Sequence, residues 1–125
     1  MDKTRTVISE FWRRMNVNDW VSAAALFSRD CTVDWPQSRE RIRGAANFIA
    51  LNSAYPAKAP WRFEVRSLVV DGETGITETA VSSGDVRAIA ISTFTVRDGQ
   101  ITHIREFWPD PYDAPDWRAQ WVEML

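Results

Sequence analysis

Apolar side chains near the start of the chain recur at the spacing of a helix. One face of that helix carries five of them: Val7, Ile8, Phe11, Trp12 and Met15. The polar run over residues 16–19 ends the pattern. The spacing predicts a first helix over about residues 4–15, with an apolar stripe that another part of the chain must cover.

A second helix and a short strand are predicted next. Asp19 is a favourable N-cap, and we expect the helix to continue through Phe27. Polar residues then alternate with apolar ones in a strand whose apolar positions are Cys31, Val33 and Trp35. Pro36 ends this strand, and a polar loop is predicted after it.

A third helix is followed by a change of period from helical to alternating. The helix opens at Gly44 and stops near Pro56, because the residue before a proline avoids helical geometry. Four strands are predicted over about residues 61–70, 76–82, 86–96 and 101–108. The breaks between them are typical of hairpins: Asp71-Gly72, Ser83-Gly84-Asp85 and Asp98-Gly99. The four strands are therefore expected to form an antiparallel meander.

Helices first and a meander afterwards predict an α+β domain with the helices on one side of the sheet. With 125 residues and 45% apolar composition, the chain is expected to form a single domain over residues 1–125. Residues 109–125 form a Pro-rich tail, in which Asp116 begins a pattern typical of a short C-terminal helix.

Composition narrows the classes of partner. The formal charge of -2, with basic residues scattered among acidic ones, gives no broad positive field, so nucleic acid is not expected. The single cysteine cannot form an internal disulfide. No apolar run approaches the roughly 20 residues that span a bilayer, and the first residues lack a secretory signal. We expect a cytoplasmic protein that does not enter a membrane.

The order of the elements and several short stretches resemble the nuclear transport factor 2-like superfamily. These stretches are Ala25-Leu26-Phe27, residues 30–36, Arg43-Gly44, Phe94-Thr95-Val96 and residues 98–101. The superfamily includes ketosteroid isomerases, SnoaL-like polyketide cyclases and limonene epoxide hydrolases. The resemblance implies a curved antiparallel sheet wrapped around three N-terminal helices, forming a cone with an interior pocket for a small molecule. It implies fold more strongly than activity.

The resemblance to ketosteroid isomerases, followed residue by residue, excludes their chemistry here. The oxyanion-hole tyrosine of those enzymes falls on Phe11, the aspartate base on Trp35 and the second aspartate on Ser92. That mechanism requires a carboxylate to move a proton and acidic donors to stabilise an enolate. We therefore do not expect it at these positions.

Two glutamates become the candidate catalytic residues. The resemblance places Glu106 on the inner face of the last strand, together with Thr102, Ile104 and Trp108, and leaves Ile101, His103, Arg105 and Phe107 outside. Alternation from the hairpin at Gly84 places Glu78 inside as well. If the hairpins centre near Gly84 and Asp98, Ala90 pairs with both glutamates, and their Cα atoms lie roughly 10 Å apart.

The pair has two interpretations, which the sequence leaves open. In the first, one carboxyl is an acid and the other a base in an enzyme without a cofactor, acting on a small, largely apolar molecule. The polar orienters are then Ser92, Asn52 and Tyr55, and the ligand-lining aromatics are Phe11, Trp35, Phe94 and Trp108. In the second, the glutamates form a hydrogen-bonded polar patch in a non-catalytic binding or dimerisation module.

Other candidates have less support. His103, the only histidine, is predicted on the outer face, and no spaced motif predicts a metal site or a nucleotide cofactor. Cys31 is predicted in the core. Asp110 lies close to the position of the catalytic aspartate in the cyclases, but Pro109 shifts the spacing.

The predicted outer face of the sheet is too apolar to be left in water. It carries Val81, Ile89, Ile91, Ile101 and Phe107. A second copy of the sheet is the expected cover, so a homodimer is predicted, with the C-terminal helix as the alternative cover.

Overall fold

Three helices precede most of the sheet in the computed structural model, which describes residues 2–125. They are α1 (Lys3–Asn16), α2 (Trp20–Ala24) and α3 (Gly44–Ala54). The side chains of Asp2 and Asp19 cap α1 and α2 by accepting a backbone N–H of the first turn. Helix α2 ends earlier than predicted, because Phe27 already belongs to the first strand.

Six strands form one curved sheet. They are β1 (Phe27–Trp35), β2 (Glu40–Arg43), β3 (Arg62–Asp71), β4 (Thr74–Ser83), β5 (Val86–Arg97) and β6 (Gln100–Phe107). Their order is β2-β1-β6-β5-β4-β3. The predicted α+β class and the meander are confirmed. The sheet is mixed rather than wholly antiparallel, because β1 returns beside β6 in parallel. Strand β2 lies where a polar loop was predicted.

The helices cover the inner face of the sheet and close the core. Ile8, Phe11 and Trp12 of α1 are at most 3% exposed, and the Phe11 ring packs edge-on against Phe94 of β5 at a centroid distance of 5.5 Å. The indole Nε1 of Trp12 donates to Thr77 Oγ1 of β4 at 3.1 Å. The stripe predicted on α1 is thus buried against the sheet.

The β4–β5 hairpin differs by one residue from the predicted register. Thr79 pairs with Ala90, and Glu78 pairs with Ile91. Because side chains alternate along a strand, a shift of one residue moves every side chain of β4 to the other face. Thr77 and Thr79 are completely buried on the inner face, and Glu78 lies on the outer face.

The β5–β6 hairpin differs from the predicted register by two residues and contains a bulge. Ser92, rather than Ala90, pairs with Glu106, and a shift of two leaves the facing of β6 unchanged. The ladder shifts between Thr95 and Val96, so that Thr102 is an extra residue. Ile101, predicted outside, is therefore completely buried beside Val96. His103 keeps the predicted outward facing.

The chain beyond β6 is an extended tail with a short 3-10 helix over Asp116–Trp121. No helix within residues 2–125 is long and apolar enough to cross a membrane.

Candidate functional site

A cavity of about 260 Å³ lies between the helices and the inner face of the sheet. Most of its wall is aromatic or aliphatic. Its lining includes Phe11, Trp12, Met15, Val33, Trp35, Phe48, Asn52, Tyr55, Trp61, Phe63, Val81, Ala88, Ile104, Glu106 and Trp108. A cavity of this kind, apolar with few polar groups, is typical of a small-molecule site.

Glu106 is the one acidic side chain in this lining. It is 8% exposed and accepts two hydrogen bonds, one on each carboxyl oxygen. Ser92 Oγ donates to Oε2 at 2.7 Å, and the indole Nε1 of Trp35 donates to Oε1 at 3.1 Å. Among residues 2–125, no lysine, arginine or histidine forms an ion pair with this carboxyl. Glu106 is thus a buried acid held by neutral donors.

The burial of Glu106 determines its protonation. Removal from water raises the pKa of this carboxyl above its usual range, because the charged form loses its solvation. Polar contact with Ser92, Trp35 and Trp108 opposes that shift without cancelling it. The neutral acid is therefore favoured at pH values where an exposed glutamate is ionised.

The two donors constrain the proton differently. An indole N–H can only donate, so Oε1 is an acceptor in both protonation states. A serine hydroxyl can either donate or accept, so the bond between Ser92 and Oε2 can reverse when Glu106 takes up a proton. The protonated and the ionised carboxyl can therefore both be hydrogen-bonded to the same two side chains, Trp35 and Ser92.

The strand order explains how these three side chains meet. Glu106 and Ser92 are directly opposite each other in the antiparallel β5–β6 pair. Asp34 pairs with Arg105 in the parallel β1–β6 pair, so the next residue, Trp35, lies beside Glu106 on the inner face. The parallel contact that the sequence did not predict therefore supplies the indole donor.

Glu106 also borders a second cavity of about 320 Å³ near the end of β6. Its lining is more polar: Trp35, Gln37, Ser38, Glu106, Trp108 and Asp110. The side-chain oxygen of Gln37 accepts the backbone N–H of Trp108, which joins the β1–β2 turn to the end of β6. Glu106 thus borders both an apolar cavity and a more polar one.

Most of the predicted ligand-lining residues lie in the apolar cavity. Phe11, Trp35, Asn52, Tyr55 and Trp108 all line it. Ser92 lies behind Glu106 and contacts it directly, and Phe94 is completely buried in the core outside the lining. One N–H of the Asn52 amide donates to Phe48 O, and its second N–H and its oxygen form no hydrogen bond within residues 2–125.

The predicted glutamate pair is wrong. Glu78 and Glu106 do not share a rung, because Glu78 lies on the opposite face of the sheet, across from Ile91 and Ser67. The one-residue difference in the β4–β5 register is the cause. Val81, predicted on the outer face, points inward instead, so the wall of β4 at the cavity is apolar.

The minor candidates lie away from the cavity. His103 Nδ1 is 2.9 Å from Thr32 Oγ1 on the outer face, and its Nε2 lies 3.7 Å from Asp34. Burial raises the pKa of the Cys31 thiol to about 12, which leaves it in the thiol form and unreactive. Asp110 is exposed and lines only the polar cavity. In the described range 2–125, no three His, Cys, Asp or Glu side chains converge on a possible metal site.

The lining from α1, α3 and β3 includes residues that the sequence did not single out as ligand-binding. Met15 belongs to the predicted apolar stripe of α1, and the sequence pattern gives Phe48 and Phe63 no role in a site. Their apolar spacing carries no signal that separates a cavity wall from a filled core. The seven tryptophans were the available signal, since Trp12, Trp35, Trp61 and Trp108 all reach the cavity.

Comparison with known proteins agrees with this architecture. A family model described as SnoaL-like domain matches residues 8–104. No curated protein matches the chain. A structure from Kribbella flavida, named as a candidate ketosteroid isomerase, is 30% identical with a TM-score of 0.91 and covers 98% of this chain and 90% of its own.

Two further structures extend the comparison. An NTF-2 like protein of unknown function from Burkholderia xenovorans is 34% identical with a TM-score of 0.82, covering 98% of this chain and 95% of its own. A candidate SnoaL-like polyketide cyclase from Jannaschia is 15% identical with a TM-score of 0.73 over 85% of both chains, and shares the fold.

Proposed function

The chain belongs to the SnoaL-like domain family, and we propose that it binds a small, largely apolar molecule and performs acid-base chemistry on it with Glu106. The observation that carries this proposal is the carboxyl itself: it is buried, has no cationic partner among residues 2–125, and accepts hydrogen bonds from Ser92 and Trp35. A carboxyl with a raised pKa can give a proton to a substrate and take it back near neutral pH.

The cavity supports a class of substrate. Ligand pockets commonly hold about 300–1,000 Å³, so a volume of about 260 Å³ suits a molecule smaller than a typical drug. The apolar wall suits a hydrocarbon body. The carboxyl of Glu106 suits one oxygen-bearing group, such as a carbonyl, a hydroxyl or an epoxide.

The reaction proposed for Glu106 requires few partners. When a substrate binds, the proton on Oε2 turns from Ser92 Oγ to the substrate oxygen and is transferred to it, and the resulting carboxylate accepts hydrogen bonds from Ser92 Oγ and the indole of Trp35. The carboxylate then takes a proton from a neighbouring carbon or from water. Water has access from the polar cavity bordered by Gln37 and Asp110. Isomerisation, dehydration, cyclisation and hydrolysis all use such a step.

Ketosteroid isomerase chemistry is not proposed, despite the similar structure from Kribbella flavida. The three positions expected to carry it are Phe11, Trp35 and Ser92. Trp35 and Ser92 instead donate hydrogen bonds to Glu106. The acid of this site is therefore on β6, whereas the base of that mechanism falls on Trp35 of β1.

Proton exchange in D2O tests the proposal without knowledge of the natural substrate. A panel of small apolar ketones, alcohols and epoxides is first screened for a rise in the unfolding temperature, and the compounds that bind are followed by NMR for deuterium uptake or product. We expect turnover with the natural chain, and a loss of at least about 100-fold in Glu106→Gln, the range of general acid-base catalysis.

Glu78→Gln is the matched control, because it makes the same chemical change on the outer face. It is expected to keep full activity. Ser92→Ala is expected to keep part of the activity, since one of the two donors remains. Equal turnover by Glu106→Gln and the natural chain would contradict the proposal.

A non-catalytic binding module is the second candidate function. The observation that favours it is that both oxygens of Glu106 already accept hydrogen bonds, so the carboxyl is satisfied without a ligand. In that case the same panel yields compounds that stabilise the fold without deuterium uptake or product.

We further propose that the protein is a homodimer through the outer face of the sheet. Val81 and Ile101, predicted on that face, are buried inside. The apolar side chains that remain there are Val69, Ile76, Ile89, Ile91 and Phe107. Ile76 and Val69 are 46% and 65% exposed, which favours cover by a second copy. The cytoplasmic location stays a prediction.

A further inference from the structure

The tail, residues 109–125, presents large apolar side chains to solvent. Trp117 and Trp121 are 72% and 71% exposed, and Tyr112 and Met124 are more exposed still. Within residues 2–125, the last hydrogen bond joining this end of the chain to the domain is that of Trp108 with Gln37. A soluble domain rarely exposes such a cluster unless a partner covers it.

The tail is also acidic. Asp110, Asp113, Asp116 and Glu123 carry four negative charges against the single positive charge of Arg118, which gives a net charge of about -3 at neutral pH. The remaining 108 residues carry 14 lysines and arginines and 13 acidic residues, so the body of the domain is nearly neutral. The negative charge of the chain is thus concentrated in its last 17 residues.

One side of the outer sheet face has the opposite charge. Arg41 and Arg43 of β2 lie beside Asp34 and Thr32 of β1, and Arg105 of β6 follows on the same face. We call Arg41, Arg43, His103 and Arg105 the basic edge. Asp34 lies among these residues and forms an ion pair with Arg41, whose guanidinium lowers the pKa of that carboxyl.

Two arginines of the basic edge have no acidic partner among residues 2–125. Neither Arg43 nor Arg105 forms an ion pair with any residue of the described chain. Arg105 lies over the ring of Phe107, with its guanidinium carbon 5.0 Å from the ring centroid. This arginine and ring offer an aromatic side chain a surface on which to stack.

We infer that the tail is an arm that docks on the basic edge of a second copy of this chain. Its aromatic residues would pack beside Arg105 and Phe107, and its aspartates would pair with Arg43 and Arg105. The occupant is a second copy because the acidic tail and the basic edge are complementary in charge, belong to the same chain, and make no ion pair with each other within residues 2–125. In a two-fold dimer this contact forms twice, once for each arm.

The area agrees with this arrangement. Buried aromatic side chains contribute about 150–250 Å² each, so Tyr112, Trp117 and Trp121 supply more than half of the about 800 Å² that each partner gives to a stable interface. The apolar outer face next to the basic edge supplies the rest. The inference rests on the proposed homodimer, and its test separates the two.

The dimer dissociation constant, measured by sedimentation in the full chain, tests the arm. We expect Trp117→Ala/Trp121→Ala to weaken dimerisation at least tenfold without a change in unfolding temperature of the isolated subunit, because both indoles are more than two-thirds exposed to solvent. Val17→Ala/Val21→Ala, which alters two exposed apolar residues of the helical side, is the matched control and is expected to have no effect.

Charge reversal tests where the arm docks. We expect Arg43→Glu/Arg105→Glu to weaken dimerisation, and we expect Asp113→Lys/Asp116→Lys, added in the same chain, to restore it. Lys3→Glu/Arg5→Glu on α1, which reverses two exposed positive charges as well, is the control for net charge.

The outcomes distinguish the two proposals. A dimer whose dissociation constant is unchanged by the tryptophan substitutions would overturn the arm and leave the sheet interface standing. A chain that stays monomeric at a protein concentration of about 100 μM would overturn both the arm and the homodimer. A weakening by the arginine substitutions that the aspartate substitutions do not restore would overturn the basic edge as the docking site.

Discussion

Glu106 combines two properties that are rarely found together in a structural residue. Its carboxyl is buried, and its hydrogen-bond partners are neutral groups that leave its charge uncompensated. A buried ionised acid without a cation costs free energy, so the fold keeps it neutral over a wider pH range than an exposed glutamate. Ser92 and Trp35 keep that cost moderate and fix the direction of the carboxyl.

The pH dependence of stability is a consequence that does not require a substrate. Because the folded state binds this proton more tightly than the unfolded state, the contribution of Glu106 is present below the ordinary glutamate pKa of about 4.3 and is lost as the pH rises through the raised value. Each unit of the shift changes the free energy of unfolding by about 1.4 kcal/mol.

Glu106→Gln removes that dependence. We expect the variant to gain stability relative to the natural chain between pH 4 and neutral pH, measured by urea unfolding at several pH values. The comparison with the natural chain cancels groups of opposite sign, such as Asp34, whose pKa is lowered by Arg41. A difference that does not change with pH would show that the carboxyl is ionised in the folded state at the same pH as in the unfolded chain.

At the scale of elements, the sequence predicts where strands turn better than how they pair. The Gly72, Gly84 and Gly99 breaks all fall between the strands that the alternation predicts. The register of a hairpin depends on which residue lies at the centre of its turn, and an error of one residue there moves the side chains of a strand to the other face of the sheet. A shift of one placed Glu78 outside, whereas a shift of two left Glu106 inside.

Contacts between distant elements have no local signal. The parallel β1–β6 contact joins residues about 70 apart in the chain, and neither strand shows it in its own alternation. The bulge at Thr102 likewise follows no Gly or Pro. The tryptophans therefore allowed an aromatic cavity wall to be predicted. The hydrogen-bond donors to Glu106 could not be predicted, because they depend on which strands are neighbours in the sheet.

The contact of α1 with β4 depends on a glycine. Gly75 faces the helix, and a Cβ at this position would overlap the Cδ1 atom of Ile8. We expect Gly75→Ala to lower the free energy of unfolding by about 1–3 kcal/mol through overpacking. Ile8→Val removes the overlapping carbon, so the double variant is expected to lose less than the sum of the two single variants.

A double-mutant cycle by urea unfolding measures this coupling. The Ile8→Val variant alone serves as the control and is expected to cost about 0.5–1.5 kcal/mol. Additive losses in the double variant would contradict the assigned contact.

At the scale of the whole molecule, the cone separates two surfaces with different uses. The inner face encloses the apolar cavity with Glu106 in its wall, and the outer face carries the exposed aliphatic residues and the basic edge. The net negative charge of the chain lies on neither face, because it is concentrated in the tail after β6. Substitutions on one surface are expected to leave the function of the other intact, which is why Glu78→Gln is a fair control for Glu106→Gln.

The indole N–H of Trp35 provides the most direct measurement of the central claim, that Glu106 is a buried acid poised to exchange a proton. This N–H donates to Glu106 Oε1, so its signal in a two-dimensional ¹H–¹⁵N spectrum moves when the carboxyl gains or loses a proton. Trp35→Phe assigns the signal among the seven indoles. We predict a titration of this signal with a midpoint well above 4.3, absent in Glu106→Gln and unchanged in Glu78→Gln. A midpoint at or below the ordinary glutamate value would contradict the account.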